Sequence, residues 1–263
     1  MSNLNTILTI AYRDLLKFMR DRPRIVASFI FPFVIILFLG ESLDASIGQA
    51  IGYDFKLFVF TGVYTQTLFQ SAMLGIISLL DDRDNDFSQE IFVSPVSRYA
   101  IIVGKILGES LVAMAQGIGL LAFGIVIALV SDSDISIAQG LGLIPVGFMA
   151  CLLGGSFGIL LLPKLSSRRV ADQIFPFLIL PQYFLAGVFT PFDNQPRFIS
   201  ALAVISPMRY AVDLTRGVFY HDKADFSRIV LEKPLVNVAV MVGMFGLFLV
   251  SGTLLFVREE RNR

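Results

Sequence analysis

The chain has 263 residues, of which 55% are hydrophobic and 16% are charged, and its formal net charge is zero. Soluble domains carry about 25% charged residues, so this composition favours a membrane protein over a large soluble core. The zero net charge does not indicate a polyanionic partner such as nucleic acid, and a single cysteine excludes an intrachain disulfide.

The first predicted element is an amphipathic helix over residues 4–22. Its apolar residues recur at helical spacing and its charged residues cover the other side: Leu4, Ile7, Leu8, Ala11, Leu15, Phe18 and Met19 against Arg13, Asp14, Lys17, Arg20 and Asp21. We expect it to lie in the membrane interface and to end at Pro23. It is either a simple anchor or an elbow helix that also contacts a cytoplasmic partner. No small-residue cleavage site is visible, so we do not expect a signal peptide.

Six apolar runs are long enough, or nearly so, to cross a bilayer as helices, which takes about 20 residues. They cover residues 25–43, 57–80, 101–130, 135–163, 173–192 and 234–257. With the N-terminus inside, 14 of the 21 Lys and Arg residues face the cytoplasm, which predicts that both termini are cytoplasmic. The sequence therefore predicts an all-α polytopic membrane protein with one domain.

Residues 196–217 include an apolar stretch that is too short to span the membrane and is broken by proline. Irregular backbone at membrane depth is tolerated where protein or a wet cavity covers it. We therefore expect a re-entrant or interfacial hairpin on the outer side, between the fifth and sixth spans.

A polar segment at residues 82–97 separates the second and third spans. Its position between two spans predicts that the apolar residues Ile91 and Phe92 lie outside the membrane, and Pro95 follows them. A short helix that offers Phe87, Ile91 and Phe92 to a groove would be a docking element for another protein. The alternative is a solvated loop whose apolar residues dip into the lipid head groups.

Polar side chains also occur within the predicted spans. Gln66 and Gln70 share one helical face of the second span, and Gln116 lies in the third. They are candidates for a translocation path, or they form hydrogen bonds between helices. Lys105 and Glu109 lie near the cytoplasmic end of the third span. For them we expect an ion pair in which the lysine reaches out to the interface.

Gly104-x-x-x-Gly108 and Gly154-x-x-x-Gly158 match the small-residue pattern of closely packed helices. The chain contains no phosphate-binding loop and no zinc-protease motif, and its single histidine has no partner histidine for a zinc site. We therefore expect neither enzymatic activity nor a bound metal or cofactor.

Two blocks of the sequence resemble the type-2 ABC transporter permeases, and most closely their daunorubicin-resistance-like branch. The first block covers residues 90–105. It consists of Glu90, an apolar patch, Ser-Pro-Val-Ser-Arg ending at Arg98, and then Gly-Lys. The second carries a Ser-Pro-x-x-Tyr-x-x-Asp-x-x-Arg-Gly close with Pro207, Tyr210, Asp213 and Arg216. Residues 86–90 depart from the usual family sequence before the apolar patch.

This resemblance implies a permease that docks a separate ABC ATPase, in two copies, and pairs with a second permease. The implied coupling residues are Phe87, Glu90, Ile91, Phe92, Pro95 and Arg98, and ATP and Mg²⁺ would be held by the ATPase. Cargo in this family ranges from amphipathic drugs to lipids and lipid-linked glycans, moved out through the plasma membrane of a bacterium or archaeon. The competing functions are an ion-driven secondary transporter and a membrane immunity or scaffold protein.

Overall fold

The computed structural model describes residues 3–43, 45, 52–80, 97–131, 136–165, 167–191 and 196–261. Every regular element in this part of the chain is helical. The α-helices are α1 (Asn3–Arg20), α2 (Arg22–Val34), α3 (Gly40–Leu43), α4 (Phe55–Gly75), α5 (Arg98–Ser131), α6 (Ile137–Leu161), α7 (Arg168–Leu185), α8 (Arg197–Ala203), α9 (Pro207–Phe219), α10 (Phe226–Ile229) and α11 (Pro234–Arg261). A π-helical turn, Ile35–Leu39, joins α2 to α3.

The corner between α1 and α2 is formed by local capping. Asp21 lies between the two helices, and its side chain accepts a hydrogen bond of 3.1 Å from the backbone nitrogen of Arg24. Pro23 occupies the first turn of α2, where its missing N–H costs nothing. The chain therefore ends one helix and starts the next within two residues.

Helix α4 is the centre of the bundle, and almost all of its side chains are buried. It packs against α5, α6 and α9. The hydroxyl of Tyr64 donates to the carbonyl of Leu143 on α6 at 3.2 Å. The hydroxyls of Thr65 and Thr215 lie 2.7 Å apart and join α4 to α9. Tyr64 and Thr65 of α4 thus find their hydrogen-bond partners on neighbouring helices, as burial away from water requires.

Both glycine patterns lie at close helix contacts. A methyl group on Gly154 would come within 2.1 Å of the carbonyl oxygen of Phe69, so α6 can approach α4 only where this position has no side chain. Gly104 and Gly108 instead pack against α1: an added methyl would lie 3.1 Å from the backbone of Ile7 or Ala11. The Gly154 pattern therefore lies where the two spans α4 and α6 pack together, and the Gly104 pattern lies where α1 packs on α5.

Helix α1 packs along α5 and buries Ala11, Asp14 and Phe18. Beside this buried face runs an exposed apolar strip, in which Leu4, Leu8, Tyr12 and Met19 are more than half exposed. Asp14 was predicted on the polar side of this helix, and that prediction is wrong. The carboxylate faces α5, where a buried lysine pairs with it.

Among the described residues, five helical stretches are long and apolar enough to cross a membrane. These are Arg22–Leu43, Phe55–Leu80, Arg98–Ile127, Ile137–Lys164 and Phe226–Glu259. Helices α8 and α9 meet at a bend of 90° and together would supply a sixth stretch as a broken span or a re-entrant loop. The chain is thus an all-helical, multi-pass protein.

The predicted fifth span, 173–192, falls on α7. This helix has 18 residues and ends at Leu185. It is not among the five apolar stretches because three charged residues, Arg168, Arg169 and Asp172, stand in its first turns. Gly187, with φ of 63°, turns the chain away after it. The exact count of six spans and the re-entrant hairpin remain predictions.

Candidate functional site

A cavity of about 680 Å³ lies among α2, α4, α5 and α7. Gln66 and Gln70 of α4 and Gln116 of α5 all line it, so the three glutamines predicted from sequence converge on one space. Thr67 and Ser71 add hydroxyl groups to the same wall. A wall of uncharged hydrogen-bonding groups inside an apolar bundle is suited to water or to a polar ligand.

Charge is confined to one end of this cavity among the described residues that line it. Asp21 and Arg24 stand at the start of α2, and Arg168 and Asp172 stand at the start of α7. Arg168 and Asp172 form an exposed ion pair at 3.7 Å. Two acidic and two basic groups leave this end of the cavity without a net charge.

A hydrogen-bond network holds the glutamines of α4. The hydroxyl of Tyr183 on α7 donates to Oε1 of Gln70 at 2.6 Å, and Nε2 of Gln66 donates to the same oxygen at 3.4 Å. Gln66 is 1% exposed, and its Oε1 has no hydrogen-bond partner among the described residues. Gln70 therefore joins α4 to α7, and all three glutamines line the cavity. A translocation path through these residues remains a prediction.

A second cavity of about 330 Å³ adjoins the first and shares Gln70, Leu74 and Asp172 with it. The rest of its wall belongs to α7 and is largely apolar, formed by Phe175, Pro176, Ile179, Leu180 and Tyr183. The two cavities thus form one recess with a polar part and an apolar part.

A buried ionic cluster lies where α1 packs on α5. Nζ of Lys105 is 2.8 Å from Oδ2 of Asp14 and 2.9 Å from Oε1 of Glu109, and all three side chains are at most 5% exposed. Arg13 contacts the other oxygen of Asp14 at 3.1 Å. The expected ion pair is present, but the lysine does not reach the interface because α1 covers it and supplies a second carboxylate.

The same cluster touches the end of α4. A methyl group on Gly75 would lie 2.0 Å from Oε2 of Glu109, and the hydroxyl of Ser78 is 3.4 Å from Oε1. Regular helical hydrogen bonding is interrupted at Ile76 and Ile77. Glu109 therefore contacts the chain on both sides of this interruption, at Gly75 and at Ser78. One cluster therefore connects α1, α5 and the end of α4.

The hairpin residues predicted from sequence hold the α8–α9 region to its neighbours. Asp213 accepts hydrogen bonds from the backbone nitrogens of Leu231 and Glu232 at 2.8 and 2.9 Å, and from Nδ2 of Asn237 at 2.7 Å. This carboxylate therefore joins α9 to the start of α11.

Arg216 is fully enclosed one turn after Asp213 on α9. Its Nη2 donates to the carbonyl of Gly187 at 2.9 Å, and its guanidinium lies 3.6 Å from the centre of the Phe58 ring. Tyr210 donates to the carbonyl of Val204 at 2.8 Å across the bend, and Pro207 occupies the first turn of α9. These contacts give the four residues an architectural role.

The predicted docking segment 82–97 lies outside the described residues except for Ser97, and so do Phe87, Glu90, Ile91, Phe92 and Pro95. Arg98 is described and begins α5, where it is half-buried. The segment joins α4 to α5, the two helices that carry the three cavity glutamines. In the described part of the chain, no three His, Cys, Asp or Glu side chains come together as a group that could hold a metal ion.

Asp14 and Tyr183 were not assigned to these sites from the sequence. Asp14 could have been found, because it lies three residues after Ala11 and four before Phe18, on the face that α1 buries. Tyr183 carried no such signal, since its partner Gln70 is 113 residues away along the chain.

The ABC-2 type transporter family matches residues 5–220 of this chain. Over 171 residues the chain is 27% identical to "Probable multidrug ABC transporter permease YbhR" of Escherichia coli (strain K12), and to its counterpart in Escherichia coli O157:H7. That alignment covers 64% of this chain and 45% of the relative, so the chain spans less than half the length of YbhR. Over 206 residues it is 22% identical to ycf38 of Cyanophora paradoxa, whose name calls it a transport permease, with 77% and 70% covered.

Proposed function

This chain belongs to the ABC-2 type transporter family, and from that premise we propose that it is the membrane permease of an ATP-driven exporter. Its cargo is an amphipathic drug-like molecule, a lipid or a glycan-linked lipid. The observation that carries this proposal is the recess among α2, α4, α5 and α7, whose polar wall is set inside an apolar bundle. Such a wall is expensive in a membrane protein unless polar cargo or water enters it.

The chain does not hydrolyse ATP in this proposal. A separate ABC ATPase holds ATP and Mg²⁺, and two copies of it dock on two permeases through residues 82–97. This segment lies in the chain between α4 and the start of α5, so a displacement of it acts on the helices that carry Gln66, Gln70 and Gln116. The proposed setting is a bacterial or archaeal plasma membrane, with both termini cytoplasmic.

The ionic cluster supports a mechanical link between docking and transport. Lys105 ties α1 to α5, and Glu109 packs against the last turns of α4 before the docking segment. A push on either α1 or the segment is therefore transmitted to the same pair of helices. Coupling also requires that the ATPase bind the two conformations of the permease with different free energies. Equal binding would leave the equilibrium between the two conformations unchanged.

An ion-driven transporter would need an ionisable group free to load and release an ion within the spans. Glu109, a carboxylate within α5, is engaged by Lys105 at 2.9 Å. The described contacts therefore do not favour that alternative.

The test is co-purification of the full chain with the ATPase encoded by a neighbouring gene, followed by ATP-dependent export in cells. Glu90→Lys and Phe92→Ala change the docking segment, and we expect both to abolish export and to weaken co-purification while membrane insertion persists. Glu232→Lys and Phe198→Ala are matched controls, because both residues are exposed in the segments between α7 and α11. Unchanged export in both docking variants would refute the proposed docking site.

A further inference from the structure

The inner wall of the larger cavity is lined by uncharged polar groups. Gln66, Gln70, Gln116, Thr67 and Ser71 supply amide and hydroxyl groups at the part of the recess away from the charged end. A cargo with a formal charge would lose its hydration on entering and would meet no opposite charge along this wall. A neutral head group that donates and accepts hydrogen bonds would exchange its water contacts for these side chains.

Gln66 presents an acceptor that the described chain leaves unused. Its Nε2 is held by Oε1 of Gln70, which the Tyr183 hydroxyl also holds, so the amide is oriented and its own Oε1 has no partner. A polar atom buried to this degree normally has a hydrogen-bond partner. A hydroxyl or amide N–H of a bound molecule would provide one.

The adjoining cavity accounts for the rest of such a molecule. Its wall is formed largely by Phe175, Pro176, Ile179 and Leu180 of α7. Asp172 lines it at the charged end, and Gln70 lies at the border between the two cavities. An apolar chain placed along α7 would leave its head group beside Gln66 and Gln70.

From these contacts we infer that the recess selects amphipathic molecules with an uncharged, hydroxyl- or amide-rich head group over those with a charged head group. Gln66 receives the head-group donor, and the α7 side of the recess receives the apolar tail. This inference rests on the proposed transport function and specifies the cargo class of the same recess.

The test measures binding on the permease alone, so that it does not depend on an ATPase. The full chain in lipid nanodiscs is titrated against three fluorescent probes that share one alkyl tail and carry a glucosyl, a trimethylammonium or a sulfate head group. We expect the glucosyl probe to bind most tightly. Gln66→Leu should weaken the binding of the glucosyl probe by roughly threefold to tenfold, as for the loss of one hydrogen bond. The affinities of the two charged probes should not change.

Gln182→Leu is the matched control. Gln182 is a buried glutamine on α7, its Oε1 also lacks a partner in the described chain, and it lines neither of these two cavities. It should keep the preference for the glucosyl probe. Tyr183→Phe removes one hydroxyl with little change of volume and releases Gln70, so it should reduce the preference even if Gln66→Leu fails to fold.

Equal binding of the charged and glucosyl probes would overturn the inference. So would a Gln66→Leu effect no larger than that of Gln182→Leu, or an absence of binding by every probe. ATP-dependent uptake is measured separately with the ATPase present. A binding preference without uptake would count against the exporter and leave the inferred cargo class standing.

Discussion

Replacing Lys105 with methionine tests the ionic cluster between α1 and α5. The substitution keeps an unbranched side chain, shorter by its terminal amine, and removes the cation that contacts both Asp14 and Glu109, at 2.8 and 2.9 Å. Asp14 then retains Arg13 at 3.1 Å, whereas Glu109 retains the Ser78 hydroxyl at 3.4 Å. Two buried carboxylates are thus left with incomplete compensation.

Breaking a buried ion pair in this way costs about 3–5 kcal/mol, because the remaining charge stays desolvated. Each kcal/mol lowers the thermal midpoint by roughly 2–4 °C in a chain of this size. We therefore expect Lys105→Met to lower the midpoint by roughly 10 °C. The loss should act first on the attachment of α1, since Asp14 is the residue of α1 that faces the lysine.

The single cysteine gives a direct assay. Cys151 is fully buried in α6, so a thiol-reactive dye becomes fluorescent only as the purified protein unfolds. Heating the variants in detergent with this dye reports their midpoints without any added label.

Lys56→Met is the control for this substitution. Lys56 contacts Glu41 at 2.9 Å, but the two side chains are 27% and 62% exposed, and exposed pairs contribute at most about 1 kcal/mol. A combined Asp14→Asn, Lys105→Met, Glu109→Gln variant removes the charges together and should recover most of the lost stability. A midpoint for Lys105→Met equal to that of Lys56→Met would refute the reasoning.

Two further substitutions, each with a control, test the packing of α6 on α4 and the contact between α9 and α11 by the same thermal assay. Gly154→Ala places a methyl 2.1 Å from a backbone carbonyl of α4, so we expect little folded protein. Gly243→Ala should fold normally, because nothing in the described chain beyond the backbone of its own helix turn lies within 4 Å of the new methyl; equal yields of the two variants would contradict the packing. Asp213→Asn replaces a carboxylate that accepts three hydrogen bonds by an amide whose NH₂ group can only donate. It should lower the free energy of unfolding by about 1–3 kcal/mol. Asp222→Asn, at an exposed carboxylate, should have no measurable effect, and a similar midpoint for both would argue against the contact.

The membrane class, the helical architecture and the family could all be predicted from the sequence. Long uncharged runs have few physical solutions, because backbone groups in lipid must be hydrogen-bonded within the element. The family followed from ordered motifs, and the match over residues 5–220 confirms it. Span ends were harder to predict, as α7 shows: its charged first turns and the Gly187 turn shift the helix from 173–192 to Arg168–Leu185.

The partners of individual side chains were decided by the tertiary structure. Gly104 and Gly108 predict a close contact by themselves, but nothing in their spacing says that the contacting helix is α1 rather than another span. The reason is that lipid tails are as apolar as leucine, so an apolar helical face does not specify which helix covers it.

The sequence by itself determined that this protein is built from apolar helices and which residues share a face of each one. Only the tertiary structure decided that Asp14 is buried against Lys105, and that Tyr183 meets Gln70 beside Gln66 and Gln116. Helical periodicity acts over a few residues, whereas these contacts join positions up to 113 residues apart. They exist because the bundle brings those faces together and leaves a recess between them.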